Sequence, residues 1–137
     1  MKKDELFFIG QKVFVEKDGN VLVLINKRNG EVDFPGGKIL DNEDLELALR
    51  RELEEELGPD IKVKIGGPVI RWVTTMKYGK NIGKRIFLVG FRGEYLSGKI
   101  NLSSEHSGYK WVNKKNYKQL NDGSDHFMAL ERYFDLI

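Results

Sequence analysis

Three glutamates between Arg51 and Gly58 have the residue type and the spacing for chemistry on a cation. On a helix, Glu52, Glu55 and Glu56 continue the face that Leu45, Ala48, Leu49 and Leu53 begin, whereas Glu54 lies on the opposite side. Carboxylates that converge on a core-facing surface are costly unless a cation compensates them. Oxygen ligands alone favour a hard divalent cation, either Mg²⁺ or Mn²⁺.

The charge distribution along the chain is uneven, although the net charge is only +2. Acids strongly outnumber bases in residues 41–56, so the remainder of the chain is basic. A run of like charges is in many proteins only a solvated helix face. The alternative is a carboxylate cluster that binds cations, with basic surroundings that attract a polyanion. The placement of the three glutamates favours this second interpretation.

Further residues at fixed distances extend this pattern toward the N-terminus. Five residues separate Gly37 from Glu43, and seven more lead to the run from Arg51 to Gly58. This spacing, preceded by Phe34-Pro35-Gly36, resembles the Nudix box. The single departure from that motif is Pro59, where the family has an aliphatic residue that mainly packs.

The resemblance implies a fold, a reaction and a metal site. The Nudix fold is an α/β/α sandwich with a mixed β-sheet, and family members hydrolyse a nucleoside diphosphate linked to a further group. Most members require Mg²⁺, for which Mn²⁺ can substitute. The resemblance makes Glu52, Glu55 and Glu56 the expected metal ligands, joined by the backbone carbonyl of Gly37. Arg51 is expected to orient a carboxylate through an ion pair.

A further carboxylate is expected to handle the attacking water, because coordination lowers the basicity of metal ligands. Relatives supply it from a loop before a strand that carries a tryptophan, and Glu105 stands six residues before Trp111. We therefore predict Glu105 as the general base or an extra metal ligand. Glu94 is the competing candidate. His106 is interpreted as a loop histidine without a role, with assistance to catalysis as the alternative.

Residues flanking the predicted site are candidates for substrate binding. Arg28, Lys38 and Arg85, together with Lys27, offer positive charge for phosphates, although the residue type of each taken alone favours a solvated surface cation. Tyr78 lies close to the position where relatives acting on dinucleoside polyphosphates carry a tyrosine. The segment 121–126 resembles a region that contacts the base in nucleotide-sanitising relatives.

The elements that must position these residues follow from hydrophobic periodicity and turn signals. We expect a helix over Asp41 to Leu57, with Asp41 as its cap and Gly58-Pro59 as its stop. The sequence predicts a break or bulge at Gly66-Gly67-Pro68 and a loop over Ser103 to Gly108. The expected strands are Leu6–Glu16, Val21–Lys27, Ile61–Tyr78, Lys84–Tyr95 and Lys110–Val112, and the further helices are Lys114–Leu120 and Asp125–Leu136.

Length and composition limit the possible classes of protein. The chain has 137 residues, which fits one domain over 1–137, and 32% of them are charged. It has no cysteine, so disulfides, zinc-thiolate sites and thiol catalysis are excluded. No apolar run approaches the length of a membrane span, and no signal peptide is evident, so we expect no membrane partner and a cytoplasmic location.

These inferences together predict an Mg²⁺-dependent pyrophosphohydrolase that acts on a nucleoside triphosphate or a similar nucleotide, oxidised nucleotides included. One alternative is a dinucleoside polyphosphate hydrolase. Another is a non-catalytic nucleotide-sensing or RNA-binding module on the same fold, which a degenerate box would favour. The box carboxylates are intact, and nucleic acid is not an expected partner. Monomer and homodimer both stay open.

Overall fold

A computed structural model describes residues 1–137, which form seven strands, two α-helices and one 3₁₀ helix. No helix has the length and apolar character required to cross a membrane. The elements in chain order are β1 (Phe8–Lys17), β2 (Asn20–Asn26), β3 (Val32–Asp33), β4 (Gly36–Lys38), α1 (Leu45–Leu57), β5 (Lys62–Thr75), β6 (Arg85–Ser97), β7 (His106–Val112), a 3₁₀ helix (Tyr117–Leu120) and α2 (Asp125–Leu136).

Strand β1 lies at the centre of a mixed sheet. It runs parallel to β6 along nearly its whole length, from Phe8 opposite Ile86 to Glu16 opposite Glu94. Its antiparallel pairing with β2 is confined to the residues beside their turn. Beyond that point the two strands diverge, and residues 32–38 fill the gap, since β3 pairs with β2 and β4 pairs with β1.

Alternating residues of β1 and β2 face two separate hydrophobic cores, because successive side chains of a strand point to opposite faces. Val13, Val15, Leu22 and Leu24 pack with the buried leucines of α1. Phe14, Val21 and Val23 pack on the other side with the aromatic residues of α2, which include Tyr133 and Phe134. The sheet is therefore covered by one helix on each face, which confirms the predicted α/β/α sandwich with a mixed sheet.

Helix α1 begins later than the sequence pattern predicted. Its N-cap is Asp44, whose carboxylate accepts a hydrogen bond from the Leu47 amide at 3.1 Å, so the prediction of Asp41 as the cap was wrong. Asn42 adopts a left-handed backbone conformation, with φ of 59°, that cannot continue a helix. Leu45 is exposed and does not join the core-facing stripe. The helix ends at Gly58, as predicted.

The later elements agree with the prediction in kind but differ in extent. The register of β5 shifts between Ile65 and Pro68, which confirms the bulge, and α2 has the predicted bounds. The predicted loop over Ser103 to Gly108 was wrong from His106 onward, because this segment pairs with β2. In the segment predicted as the helix Lys114–Leu120, only Tyr117–Leu120 is helical. The residues before it form a turn in which the Asn113 side chain accepts hydrogen bonds from the Lys115 and Asn116 amides.

Gly36 allows the close approach of the segment 32–38 to β1. Its φ is 133°, which disfavours every residue with a side chain, and a Cβ there would lie 2.0 Å from the Gln11 carbonyl oxygen. We expect Gly36→Ala to lower the free energy of unfolding by more than about 2 kcal/mol in urea titrations. Gly67→Ala is the control, because a Cβ at Gly67 meets open space. Equal stability of the two variants would contradict this account.

Candidate active site

The three glutamates of α1 occupy different environments. Glu56 is buried, with 4% of its surface exposed, and sits among the core residues of the helix. The Glu52 side chain is 19% exposed, whereas that of Glu55 is 57% exposed. Glu52 and Glu56 line the main cavity of the protein, and Glu55 does not. The helical pattern therefore placed two of the three carboxylates on the cavity side.

Gly36 and Gly37, the first residues of β4, form with the preceding Phe34 and Pro35 a segment here called the glycine turn, and each glycine meets one of these carboxylates. The Gly36 amide donates a hydrogen bond to Glu56 Oε1 at 3.0 Å. The Gly37 backbone packs against Glu52 so closely that a Cβ at Gly37 would lie 2.7 Å from the carboxylate carbon. A side chain at residue 37 would therefore displace the Glu52 carboxylate, so the paired glycines and the helix carboxylates form one cradle.

Arg51 binds the acidic residues around it on the outer side of α1. Its Nε and Nη2 atoms donate to the two carboxylate oxygens of Glu43, each at 2.9 Å, in a bidentate pair. Its Nη1 atom donates to Glu52 at 3.0 Å and to Glu55 at 3.2 Å. Glu43 also accepts the Leu40 amide at 2.8 Å. Arg51 is thus placed to orient Glu52, and Glu43 to orient Arg51.

A buried polar network adjoins the cradle on the sheet side. Lys12 Nζ lies 3.0 Å from Asp33 Oδ1, and His106 Nε2 lies 3.2 Å from Asp33 Oδ2 and 3.6 Å from Glu56. His126 Nε2 lies 3.5 Å from Asp33 Oδ1, and its Nδ1 accepts the indole N–H of Trp72 at 3.0 Å. The interpretation of His106 as a loop residue was wrong, since it is buried at the first position of β7 and contacts Glu56.

The electrostatics of this network follow from burial and from its opposite charges. Burial acts to raise the pKa of Asp33, but Lys12 and His106 outweigh it and hold that pKa well below its usual range. Burial acts to lower the pKa of Lys12, but Asp33 and Glu56 raise it above its ordinary value. The Lys12–Asp33 pair is therefore charged at neutral pH. Burial raises the pKa of Glu56 to about 7, despite the nearby Lys12.

Glu105 lies at the exposed rim of the same site, in the turn before β7. The Ser103 amide donates to the Glu56 carbonyl at 3.1 Å, and the Lys27 amide donates to the Glu105 carbonyl at 3.0 Å. These bonds tie the turn to the end of α1 and to β2. Glu105, His106 and Glu56 consequently present ligand atoms within 4.8 Å of one another. Glu94 instead lies on β6, beside a separate small pocket.

The main cavity has a volume of about 900 Å³, and only five of its 26 lining residues are hydrophobic, so its chemistry suits a charged ligand. Lys38, Arg28 and Tyr78 line it, as does Lys27. The Arg28 guanidinium stacks over the Tyr78 ring at 4.4 Å. Arg85 does not line the cavity, and it forms an ion pair with Glu5.

The donor set fits a hard divalent cation. Glu52, Glu56 and Glu105 supply carboxylate oxygens, and the Gly37 carbonyl belongs to the turn packed against Glu52. Glu56 is a buried acid whose ionised form lacks full compensation, which a cation would provide. The buried Ser103 Oγ and His106 Nδ1 atoms beside Glu105 have no hydrogen-bond partner in the protein. These atoms offer further polar contacts to water or to a ligand.

The family model described as NUDIX domain matches residues 10–131. The chain belongs to the NUDIX family. The matched range includes the glycine turn, the carboxylates of α1, the polar network and most of α2. The intact box therefore sits in the structural context that is expected of the family.

Two curated proteins share sequence with this Nudix domain. The 8-oxo-dGTP diphosphatase of Proteus vulgaris is 44% identical over 57 residues, which cover 39% of this chain and 51% of that protein. The 8-oxo-dGTP diphosphatase of Buchnera aphidicola subsp. Schizaphis graminum (strain Sg) is 36% identical over 89 residues, covering 65% of this chain and 61% of that protein. The matched segments thus span about half to three-fifths of these relatives.

Solved structures share the fold of this Nudix domain. The crystal structure of the MutT protein from Methanosarcina mazei Go1 has a TM-score of 0.76 and 24% identity, covering 96% of this chain and 98% of that chain. The solution structure of the E. coli ORF135 protein has a TM-score of 0.67 and 24% identity, covering 93% and 92% of the two chains. At these identities the likeness establishes the fold.

Sequence reasoning missed Lys12 and Asp33, and it included His126 only as the last residue of the segment 121–126, without its contact to Asp33. Lys12 lies in the middle of the predicted strand Leu6–Glu16, where a single lysine is typical of the solvated face of a strand. The signal that was available for Asp33 is its place directly before Phe34-Pro35-Gly36. Their pairing joins segments that only the divergence of β1 from β2 brings together, so no local pattern indicates it.

The raised pKa of Glu56 predicts a pH-dependent stability of the metal-free protein. Between the ordinary value of 4.5 and the folded value of about 7, the folded state binds more protons than the unfolded state, so stability falls as the pH rises through this window. Glu56→Gln removes this titration. We expect the variant to exceed the wild type in free energy of unfolding at pH 8 by up to roughly 3 kcal/mol, and to match it near pH 4.

Urea titrations in the presence of a chelator measure this difference at both pH values. Glu54→Gln is the matched control, because Glu54 is an exposed acid of the same helix. A Glu56→Gln variant that is less stable than the wild type at pH 8 would show that the buried carboxylate is already fully compensated.

Proposed function

We propose that this Nudix domain is an Mg²⁺-dependent pyrophosphohydrolase of nucleoside triphosphates, oxidised purine triphosphates such as 8-oxo-dGTP included, with Mn²⁺ able to replace Mg²⁺. The observation that carries the proposal is that Glu52, Glu56 and Glu105 line one cavity together with several cationic side chains, with the ligand atoms of Glu56 and Glu105 within 4.8 Å of each other. The intact carboxylates argue against a non-catalytic module on the same fold. The names of the two curated relatives support the choice of substrate.

The lining of the cavity suits a nucleotide with a charged tail. Val32, Met76, Ile86 and Leu88 supply apolar surface from the sheet and its loop, which is what a base requires. Asp125 and His126, at the beginning of α2, add polar groups beside that surface. The basic side chains that line the same cavity offer charge to phosphates, and they are Lys27, Arg28, Lys38 and Lys77.

Metal ligation is proposed for Glu52, Glu56 and the Gly37 carbonyl, with Glu105 at the rim of the cavity, and for Glu55, which lies outside the cavity lining but shares Arg51 with Glu52. When bound, a divalent cation neutralises charge on phosphate oxygens and lowers the pKa of water. Arg51 keeps Glu52 in place, and Gly36 fixes one oxygen of Glu56 through its amide. Both carboxylates are therefore held before the substrate enters, which reduces the reorganisation that the reaction requires.

Proton transfer is proposed for Glu105. It is exposed at the rim and makes no ion pair within the protein, so its carboxylate is free to accept a proton from the attacking water. Arg28 and Lys38 are proposed to bind the phosphates and to stabilise the negative charge that develops on them during the reaction. These contributions position the water, the phosphorus and the leaving group without a covalent intermediate.

A panel of nucleotides incubated with Mg²⁺ tests the substrate class. We expect nucleoside triphosphates, with 8-oxo-dGTP among the fastest, to yield the monophosphate and pyrophosphate faster than a nucleotide sugar yields its products at equal concentration. The reason is that the cationic lining favours the more highly charged tail. Faster hydrolysis of a nucleotide sugar or ADP-ribose would contradict the proposal, and preference for a dinucleoside polyphosphate would favour the alternative hydrolase.

Two matched variants assign this activity to the site. Glu56→Gln removes charge at nearly constant volume, so we expect an intact fold and a fall in kcat of at least about 100-fold. Glu54→Gln should retain kcat within about twofold, because its side chain is exposed on the other side of the same helix. Wild-type rates from Glu56→Gln at saturating Mg²⁺ would overturn the assignment.

The role of Glu105 predicts a change in the pH–rate profile. Glu105→Gln should lower kcat by about 100-fold or more and remove the acidic limb of the profile, because the group that accepts the proton is gone. Glu94→Gln is the control on β6 and should leave both unchanged. Loss of the acidic limb only in Glu94→Gln would move the base to Glu94.

A further inference from the structure

Lys12 is a buried lysine in the centre of the sheet, with 8% of its surface exposed. Lysine is almost never buried to this extent unless it is paired. Its ammonium group lies 3.0 Å from Asp33 Oδ1 and 3.2 Å from each of the carbonyl oxygens of Phe34 and Gly36. These three acceptors match the three donors of an ammonium group, so none is left over.

The segment that Lys12 holds is the glycine turn of the candidate metal site. Gly36 accepts from Lys12 through its carbonyl and donates through its amide to Glu56 Oε1. Gly37, the next residue, packs against the Glu52 carboxylate. The short backbone segment of Gly36 and Gly37 therefore links the Lys12 ammonium group to the carboxylates of both Glu52 and Glu56.

We propose that Lys12 is a positioning residue for the metal site, which fixes the carbonyls of Phe34 and Gly36 so that the turn presents its backbone correctly to Glu52 and Glu56. This inference rests on the metal-binding part of the proposed function. It assigns Lys12 no contact with the metal or with the substrate. Its contribution is the conformation of the turn.

The competing role is that of a simple counter-ion for Asp33. Replacement of a buried ion pair by apolar groups is in many proteins neutral for stability, so a structural role alone does not require an ammonium group here. Holding two backbone carbonyls does require a donor with several hydrogens, and an apolar side chain cannot provide one. The two roles therefore differ in what happens when both charges of the pair are removed together.

Direct Mn²⁺ binding to the full chain, measured by electron paramagnetic resonance without nucleotide, separates the two roles. The informative pair is Asp33→Asn and the double variant Lys12→Met with Asp33→Asn, which differ only at Lys12. We expect the double variant to unfold cooperatively, because it leaves no unpaired charge of this pair, and to bind Mn²⁺ at least tenfold more weakly than Asp33→Asn. Asp33→Asn should bind within threefold of the wild type.

Gln11→Leu is the matched control on the same strand. Gln11 is also a buried polar residue, but its side chain donates to the Leu45 carbonyl at the start of α1 and makes no hydrogen bond to the turn. We expect this variant to lose stability while its Mn²⁺ affinity stays within threefold of the wild type. A loss of affinity as large as that of the double variant would show a general effect of disturbing β1, and would overturn the inference.

Two further outcomes would overturn the positioning role. Equal Mn²⁺ affinity of Asp33→Asn and the double variant would reduce Lys12 to a counter-ion. Failure of the double variant to unfold cooperatively, when Asp33→Asn does so, would make Lys12 a residue of the whole fold. The proposed function fails separately, if the wild type binds Mn²⁺ in a Lys12-dependent manner but hydrolyses no nucleotide of the panel.

Discussion

The hydrogen bond from the Gly36 amide to Glu56 joins the two halves of the site. One half is a turn wedged between diverging strands, and the other is a helix packed on the opposite side of that turn. Because Glu56 is buried, its carboxylate has few alternative positions. The turn is equally restricted, because Gly36 packs directly against the backbone of β1. The Nudix box therefore contains two separate segments, the glycine turn and helix α1, which must meet at the Gly36 amide.

Charge balance around this contact explains why so many titratable groups share a small volume. Asp33 is ionised beside Lys12, whereas burial raises the pKa of Glu56 to about 7, so that its ionised form lacks full compensation at neutral pH. His126 has its pKa lowered by burial, and its Nδ1 is occupied by the Trp72 indole, so its proton resides on Nε2 facing Asp33. The network is consequently close to compensated without a metal, except at Glu56. This is the position where a divalent cation gains the most.

Local signals in the sequence were sufficient for the existence of α1 and for both bounds of α2, because a helical stripe and a capped end are encoded by neighbouring residues. Helix α2 was predicted to the residue for this reason. The start of β7 at His106 depends on pairing with β2, some 80 positions away, and no local pattern indicates that pairing. Lys12 was missed for the same reason, since its three acceptors come from another segment. The exposed position of Glu55 reflects its place at the edge of the helical stripe, where the pattern is least decisive.

The parallel pairing of β1 with β6 has a consequence for how the molecule is made. All residues of the Nudix box leave the ribosome well before β6, which begins at Arg85. Until then β1 lacks its partner along one entire edge, and closing so long a loop is entropically costly. Formation of this pairing is a non-local event, which is slow relative to helix formation. A nascent chain that already contains every box residue still lacks the strand β6 that pairs with β1. We therefore expect the cradle to become stable only after the second half of the polypeptide has been synthesised.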